Sequence, residues 1–314
     1  MEYRTMGRSG LHVSVSGVGC NTFGWWIEQA DAKRVVDAAL DHGITLFDTA
    51  DMYDDGRSET FLGKALGARR HEAVIVTKFG MKKGSDQRDI PRGSRAYIVE
   101  SCEASLRRLG TDHIDLYLHH QPDPMTPVEE TLDALDRLIG QGKIRYAGCS
   151  NYAGWQIADA HWLARDGRLN PFVVAQNEWN LMERDIEADV VPACRHYGMG
   201  IMPYFPLAMG LLTGKYKRDE QPSGDYRLGA DSERYRRMLS EENFDHIEKL
   251  SAFAAEHGHS LLELAVGWLA SQEVVSTVIC GATKPEQIAA NAAAATAWRL
   301  TPDDMAAIDG LLAA

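Results

Sequence analysis

The sequence predicts a (β/α)₈ barrel, also called a TIM barrel, and three observations support that fold class. From residue 16 onward, short β-branched runs alternate with amphipathic stretches at helical spacing, which is typical of parallel strands joined by right-handed crossovers. Eight such units can be counted, and eight suit a closed barrel better than an open sheet. The length of 314 residues is normal for one such barrel. We therefore expect one domain over residues 1–314.

The predicted strands are short stretches rich in β-branched and aliphatic residues. In chain order they are SVSGVGC (14–20), ITLFDTA (44–50), EAVIVTKFG (72–80), HIDLYLHH (113–120), IRYAGCS (144–150), FVVAQNEW (172–179), MGIMPYFPL (199–207) and VVSTVIC (274–280).

The predicted helices follow these strands and repeat apolar residues three and four positions apart. Gly43 ends the first of them, and Ser94 is a candidate N-cap of the third. In chain order they are DAKRVVDAALDHG (31–43), SETFLGKALG (58–67), SRAYIVESCEASLRRLG (94–110), PVEETLDALDRLIGQG (127–142), AGWQIADAHWLARDG (153–167), IEADVVPACRHYG (186–198), LLELAVGWLASQ (261–272) and KPEQIAANAAAA (284–295).

Two segments depart from the alternation. Residues 1–15 read as a β-hairpin that turns at Gly7–Gly10 and could plug the bottom of the barrel. Residues 216–240 form a long polar loop after the seventh strand. Long loops in compact domains are usually functional, so we expect this one to act as a lid.

Composition and charge exclude several classes of protein. The net charge is −12 and no long basic run occurs, which argues against a nucleic-acid partner. No stretch approaches the ~20 apolar residues of a membrane span, and the first residues lack a secretory apolar core. The five cysteines are scattered, odd in number and without a CxxC pair, which is typical of free thiols in a reducing compartment. We expect a cytoplasmic location.

Three strand ends carry ionisable side chains where a barrel enzyme places its catalytic groups. Asp48, Lys78 and His120 each follow two aliphatic residues at a period of two. Each therefore caps an inward-facing row, and Tyr53 lies five residues beyond Asp48. His119 shares its face with Tyr117, so we expect it to point toward the helices and to be structural.

These residue types suit proton donation to an oxygen that gains negative charge. A nearby Lys⁺ favours phenolate, so Lys78 is expected to lower the pKa of Tyr53 from its usual value of about 10. A lowered pKa would match Tyr53 to proton transfer near neutral pH. Asp48 would hold the ammonium, and His120 would orient a carbonyl. The site lacks an electron source, which implies a bound hydride donor.

The motifs FDTADMY, TKFG, DLYLHHQPD, GCSN and QNEWN occur in order over nearly the whole chain. Together they resemble the aldo-keto reductase superfamily, which comprises NADP(H)-dependent (β/α)₈ oxidoreductases. The resemblance implies that Asp48, Tyr53, Lys78 and His120 form the catalytic tetrad, with Tyr53 as general acid. The long loop is similar to that of the branch containing potassium-channel β-subunits.

The resemblance also implies a site for NADP(H). Ser150, Asn151 and Gln176 would hold the nicotinamide carboxamide, and Tyr204 would stack on its ring. The remaining expected cofactor contacts are Gly19, Asn21 and Gly281, the pyrophosphate set Leu207, Gly210 and Lys215, the loop clamp Arg227, and the adenosine set Thr283, Lys284, Gln287 and Asn291. A helix N-terminus near Pro285 attracts anions, so a 2′-phosphate and NADPH are favoured over NADH.

The substrate is expected to be a small-molecule carbonyl compound. Trp25 and Trp26, in the loop after the first strand, and Met81, after the third, are candidate pocket walls. The chain has few residues after the last predicted helix, 302–312, so the site would be open or completed by a neighbouring subunit. A homo-oligomer is therefore left open.

Two alternatives to a reductase are considered. The first is a regulatory or redox-sensing subunit that keeps NADP(H) bound and turns over slowly. The second is a metal-dependent barrel hydrolase that uses His119 and His120. Adjacent strand residues point to opposite faces and cannot both face one metal, so no metal is expected.

Overall fold

A curled sheet of eight parallel strands forms the centre of the molecule. The computed structural model describes residues 1–82, 88–218 and 233–313. A separate antiparallel hairpin precedes the sheet and pairs Tyr3 with Ser14. The strands are β1 (Tyr3–Thr5) and β2 (His12–Ser14) of the hairpin, then β3 (Ser16–Gly19), β4 (Leu46–Asp48), β5 (Val74–Phe79), β6 (Ile114–His119), β7 (Ile144–Ser150), β8 (Val174–Gln176), β9 (Gly200–Ile201) and β10 (Val278–Gly281).

The strand order shows how the sheet closes. The neighbours run β10-β3-β4-β5-β6-β7-β8-β9, all in parallel. The two edges meet through backbone hydrogen bonds: Ile201 N–H donates to the Val274 carbonyl at 2.8 Å, and Ser276 N–H donates to the Ile201 carbonyl at 3.0 Å. The predicted (β/α)₈ fold is confirmed.

Helices connect the strands and cover the outside of the sheet. Their bounds are α1 (Gln29–Asp41), α2 (Arg57–Leu66), α3 (Arg95–Leu109), α4 (Val128–Gly140), α5 (Gly154–Gly167), α6 (Val190–Tyr197), α7 (Glu233–Met238), α8 (Glu241–Glu256), α9 (Leu261–Ala270), α10 (Pro285–Ala297) and α11 (Pro302–Ala313).

The segment between β9 and α9 differs from the sequence prediction. The predicted loop 216–240 contains α7, and α8 follows it without having been predicted. The Ser240 hydroxyl caps α8 by accepting a hydrogen bond from the Asn243 N–H. Arg227, the expected phosphate clamp, lies outside the described residues, as does most of the expected lid.

The N-terminal hairpin packs against the floor of the barrel. Met6, Leu11 and Val13 from the hairpin join the inward-facing side chains of the strands in one buried cluster. The other members of that cluster are Leu46, Val76, Leu116, Leu118, Val174 and Ile279 from the strands, and Met202 directly after β9. The hairpin thus adds an apolar layer below the strands, at the end opposite to the carboxyl ends of the strands.

Candidate active site

The carboxyl ends of the strands bring the predicted site residues together at one mouth. Asp48, Lys78 and His120 each lie two residues beyond a member of the inner apolar cluster, so the period of two turns each of them inward. Ser150 and Gln176 are aligned neighbours at the ends of β7 and β8. This alternation confirms the expected packing of aliphatic layers below polar groups.

The Lys78 ammonium connects the residues of the mouth. It is fully buried and donates to Asp48 Oδ2 at 2.8 Å, to the Thr49 carbonyl at 2.7 Å and to the Tyr53 hydroxyl at 3.3 Å. It also lies 4.9 Å from the centre of the Tyr53 ring. Burial lowers the Lys78 pKa, but Asp48 and Tyr53 outweigh it and the net shift is upward. The ammonium therefore stays charged at neutral pH.

The expected lowering of the Tyr53 pKa is wrong in this structure. Burial among protein atoms disfavours phenolate more than Lys78 favours it, and Asp48 adds a like charge, so the pKa of Tyr53 is raised. The phenol is consequently protonated throughout the neutral range. It can still donate a proton, and Lys78 is placed to stabilise the phenolate that donation leaves.

His120 faces Tyr53 across the mouth. The two rings meet edge to face with centroids 6.0 Å apart. His120 is buried, and its Nδ1 has no hydrogen-bond partner among the residues that the structure describes. Burial, and then the positive charge of Lys78, hold its pKa well below the usual value. A neutral ring can give or accept a hydrogen bond without changing the charge at the mouth.

His119 points away from the mouth, as its place on the strand predicts. Its Nδ1 lies 2.8 Å from the Tyr152 hydroxyl, and its ring stacks on Phe79 at 5.0 Å. Gly80, with a φ of +102°, leaves room for this ring, because a Cβ there would lie 2.8 Å from His119 Cδ2. Burial lowers the pKa of His119 to about 4. The ring is a neutral part of the packing between sheet and helices.

A hydrogen-bond network extends from the tetrad positions to the expected nicotinamide contacts. Gln176 Nε2 donates to Asp48 Oδ1 at 2.9 Å. Asn151 Nδ2 donates to the His120 carbonyl at 2.9 Å and to Ser150 Oγ at 3.2 Å, and the Tyr204 hydroxyl donates to Asn151 Oδ1 at 2.9 Å. Asn151 holds a left-handed backbone with φ +59°, which costs energy outside glycine. The network supports this strained turn.

The expected pyrophosphate residues lie in a tight turn after β9. Gly210 N–H donates to the Leu207 carbonyl at 2.8 Å. Gly210 has a φ of +98°, and a Cβ there would lie 2.8 Å from Lys215 Nζ. The positive φ favours glycine at this position, and the end of the exposed Lys215 side chain lies over the turn.

The expected adenosine contacts surround the first turn of α10. Gln287 Oε1 accepts hydrogen bonds from the Thr283 N–H at 2.7 Å and the Lys284 N–H at 3.2 Å. Lys284 is exposed, whereas Asn291 is buried one turn further along. Gly281 lies beside Asn21 Oδ1, at 3.9 Å from the position of a Cβ, and Gly19 pairs with Gly281 in the sheet.

The candidate pocket walls are only partly assembled. Trp25 lies 6.4 Å from the Tyr53 ring, although 54% of it is exposed. Trp26 is 46% exposed and has no ring contact among the described residues. Met81 is half-buried and precedes a segment outside the described residues. Trp25 is thus the member of this set that the structure brings to the tetrad.

Sequence reasoning did not identify two parts of the site. The Thr49 carbonyl accepts from Lys78, and a backbone acceptor leaves no mark in a sequence. Tyr152 holds His119 through its hydroxyl, and its own carbonyl accepts from Asn177 Nδ2 at 3.2 Å. The position of Tyr152 directly after the GCSN motif was the available signal.

Within residues 1–82, 88–218 and 233–313, no group of three or more His, Cys, Asp or Glu side chains lies close enough to hold a metal ion. No described helix is long and apolar enough to span a membrane.

Comparison with known proteins finds a matching family and relatives that include two plant proteins. The model of the Aldo/keto reductase family matches residues 17–313. A protein of Oryza sativa subsp. japonica named "Probable voltage-gated potassium channel subunit beta" is 38% identical over 299 residues, covering 93% of this chain and 90% of its own. A protein of the same name from Arabidopsis thaliana is 38% identical over 301 residues, with the same coverage of each chain.

Proposed function

The chain belongs to the aldo/keto reductase family, and from that premise we propose that it uses NADPH to reduce an aldehyde or ketone to an alcohol. The observation that carries the proposal is the buried Lys78 ammonium, which bonds Asp48 and the Tyr53 hydroxyl together at the barrel mouth. A small-molecule carbonyl compound is the proposed substrate.

Tyr53 is the proposed general acid. Its raised pKa keeps the phenol protonated, so the hydroxyl can give its proton to a carbonyl oxygen that gains negative charge. The phenolate that remains lies within 3.3 Å of Lys78. This charge pair stabilises the transition state more than the neutral ground state, which is the requirement for catalysis.

Asp48 and His120 position these groups. Asp48 fixes the ammonium at 2.8 Å and is itself held by Gln176, so Lys78 needs no rearrangement as charge develops. Burial and the charge of Lys78 keep His120 neutral, and a ring that carries no charge can hydrogen-bond a carbonyl oxygen without competing with Tyr53 for the proton.

The residues at the mouth and rim fit NADPH, which supplies the hydride when bound. The amides of Asn151 and Gln176 and the Ser150 hydroxyl offer polar partners to a carboxamide. Lys215, over its glycine turn, and Lys284, at the start of α10, are exposed cations suited to phosphates. Gln287 accepts hydrogen bonds from the N–H groups at the start of that helix, so we expect it to contribute to the site for the adenosine end of NADPH.

Trp25 supports an apolar or aromatic substrate, since its ring lies 6.4 Å from that of Tyr53, and Met81 is a further proposed pocket wall. A cytoplasmic location is part of the proposal, because all five cysteines are buried free thiols, as in reducing compartments. A single domain over the whole chain stays a prediction, and a homo-oligomer stays an open alternative.

Fluorescence titration followed by turnover tests the proposal. NADPH is expected to quench the tryptophan emission of the protein more strongly at low concentration than NADH. The loaded protein is then expected to oxidise NADPH when 4-nitrobenzaldehyde is added. The absence of quenching by both cofactors would refute the proposal.

A second candidate function is a regulatory subunit that retains NADP(H) and turns over slowly. The names of the two plant relatives favour it. Both functions predict cofactor binding, so turnover distinguishes them. Repeated turnover with 4-nitrobenzaldehyde supports the reductase, whereas tight cofactor retention with no more than one turnover supports the regulatory subunit.

A further inference from the structure

One face of α5 carries two tryptophans and two aspartates in a regular row. Trp155, Asp159, Trp162 and Asp166 are spaced by four, three and four residues, which places all four on one stripe of a helix. Trp155 is 69% exposed and Trp162 is 53% exposed, and both aspartates are exposed. The two indoles are about 10 Å apart along the helix axis.

This exposure is not explained by the packing of α5. The opposite side of the helix buries Ile157, Ala160 and Ala164, so the helix is held to the barrel without the tryptophans. Elsewhere Trp179 and Trp268 are each only 1% exposed. Exposed apolar residues that lie together on a folded protein mark interaction surfaces, and tryptophan is enriched among the residues that dominate binding energy.

The Trp162 ring makes a cation–π contact with an arginine of the same chain. The Arg165 guanidinium lies 5.1 Å from the centre of that ring, within the range of a cation–π contact. No cation occupies the Trp155 ring among the contacts of the described residues. The row therefore presents the Trp162 ring with the Arg165 guanidinium on it, the Trp155 ring without a cation from the described part of the chain, and the carboxylates of Asp159 and Asp166 beside them.

We propose that this face of α5 binds a basic segment of a partner protein. Arginine or lysine side chains would lie against the two indoles and pair with Asp159 and Asp166. The net charge of −12 favours the approach of a basic partner. This inference does not depend on the proposed reductase activity, because it uses none of the residues at the barrel mouth.

Charge also argues against two other occupants. A second copy of the chain, docked antiparallel about a two-fold axis near residues 158–159, would bring Asp159 close to the Asp159 of its partner. Like charges at that position oppose the pairing. An anionic membrane surface would be repelled by the same two carboxylates.

The test uses the full-length protein labelled with 5-fluorotryptophan. The probe is an alanine-based helical peptide with four arginines at the same spacing of four, three and four, and a peptide with four glutamates is its control. Substitutions of single tryptophans assign the fluorine signals. The arginine peptide is expected to shift the signals of Trp155 and Trp162 and leave those of Trp179 and Trp268 in place.

Matched variants separate the contributions. Trp155→Ala combined with Trp162→Ala is expected to weaken peptide binding at least about 10-fold, and Trp25→Ala, at a similarly exposed tryptophan, to leave it unchanged. Asp159→Asn with Asp166→Asn is expected to weaken binding about 3- to 10-fold and to flatten its salt dependence. Glu242→Gln with Glu256→Gln removes two exposed carboxylates from α8 and is expected to have no effect.

Several results would overturn the proposal. Equal binding of the arginine peptide and the glutamate peptide would contradict it. Signal shifts confined to tryptophans other than Trp155 and Trp162 would also contradict it. Self-association in sedimentation that the double alanine variant abolishes would assign the face to a second copy. Binding to phosphatidylserine vesicles that needs Trp155 and Trp162 would assign it to a membrane.

Discussion

The inner and outer faces of the barrel wall both carry a histidine at the end of β6, and the two differ in what they contact. His120, on the inner face, lies beside Tyr53 and the charge of Lys78. His119, on the outer face, lies between Phe79 and Tyr152. Both are buried and both are neutral. Burial alone therefore does not distinguish a candidate catalytic residue from a structural one; the groups that each ring contacts do.

The largest effect is expected from removing the charge at the centre of the inner face. Lys78→Met should lower turnover about 10²- to 10⁴-fold, because the Tyr53 phenolate loses its counter-charge. It should also destabilise the fold by about 3–5 kcal/mol, because Asp48 keeps a buried charge without a cation. Steady-state kinetics and urea unfolding measure the two effects.

A double variant separates these two consequences. Asp48→Asn together with Lys78→Met removes the unpaired charge, so it should recover most of the lost stability and none of the lost turnover. Turnover that recovers with stability would mean that Lys78 acts only on the fold.

The next effect contrasts the two histidines directly. His120→Ala should lower kcat/KM about 10²-fold and leave the folded structure intact, since it removes a group at the mouth. His119→Leu should change kcat/KM less than about 3-fold, because its ring contacts only the outer layer. Equal losses in the two variants would contradict the assignment of faces.

On the outer face, His119 should instead affect how the free energy of unfolding depends on pH. The pKa of His119 is about 4 in the fold against 6.5 in the unfolded chain, so the folded state binds fewer protons between these values. Stability should fall as pH falls from about 6.5 to 4, by about 3 kcal/mol from this group.

Urea unfolding at a series of pH values tests this. His119→Leu should flatten the pH dependence relative to the parent protein, while His12→Gln, at an exposed histidine, should not. Identical pH profiles for His119→Leu and the parent would show that His119 does not titrate as the structure implies.

The smallest effect is expected at the rim, away from both faces. Gln287→Ala removes a side chain from the start of α10 and should weaken NADPH binding about 3- to 5-fold, with a smaller change for NADH. The single hydrogen-bonding group lost is worth about 1 kcal/mol. Fluorescence titration measures both affinities, and a larger loss for NADH would contradict a role near the 2′-phosphate.

Periodicity in the sequence predicted the parts of the site that depend on strand geometry. Asp48, Lys78 and His120 follow inward-facing aliphatic residues, so a period of two was sufficient to place them at the mouth. The same reasoning placed His119 outside. The hairpin plug followed from the turn at Gly7–Gly10.

Other features of the site and fold depend on packing and backbone geometry that cannot be read from the sequence. The direction of the Tyr53 pKa shift is a competition between burial and Lys78, and only the packed structure shows that burial prevails. Helix α8 follows a polar stretch and was missed because that stretch was read as part of a long loop. The Thr49 carbonyl could not be predicted because backbone acceptors carry no side-chain signature.

The most direct test of the central claim is the turnover of Tyr53→Phe measured beside its affinity for NADPH. Removing one hydroxyl from the inner face should lower kcat with 4-nitrobenzaldehyde about 10³-fold and leave NADPH binding within about 3-fold. A variant that binds NADPH and keeps turnover within about 10-fold of the parent would contradict the role of Tyr53 as general acid.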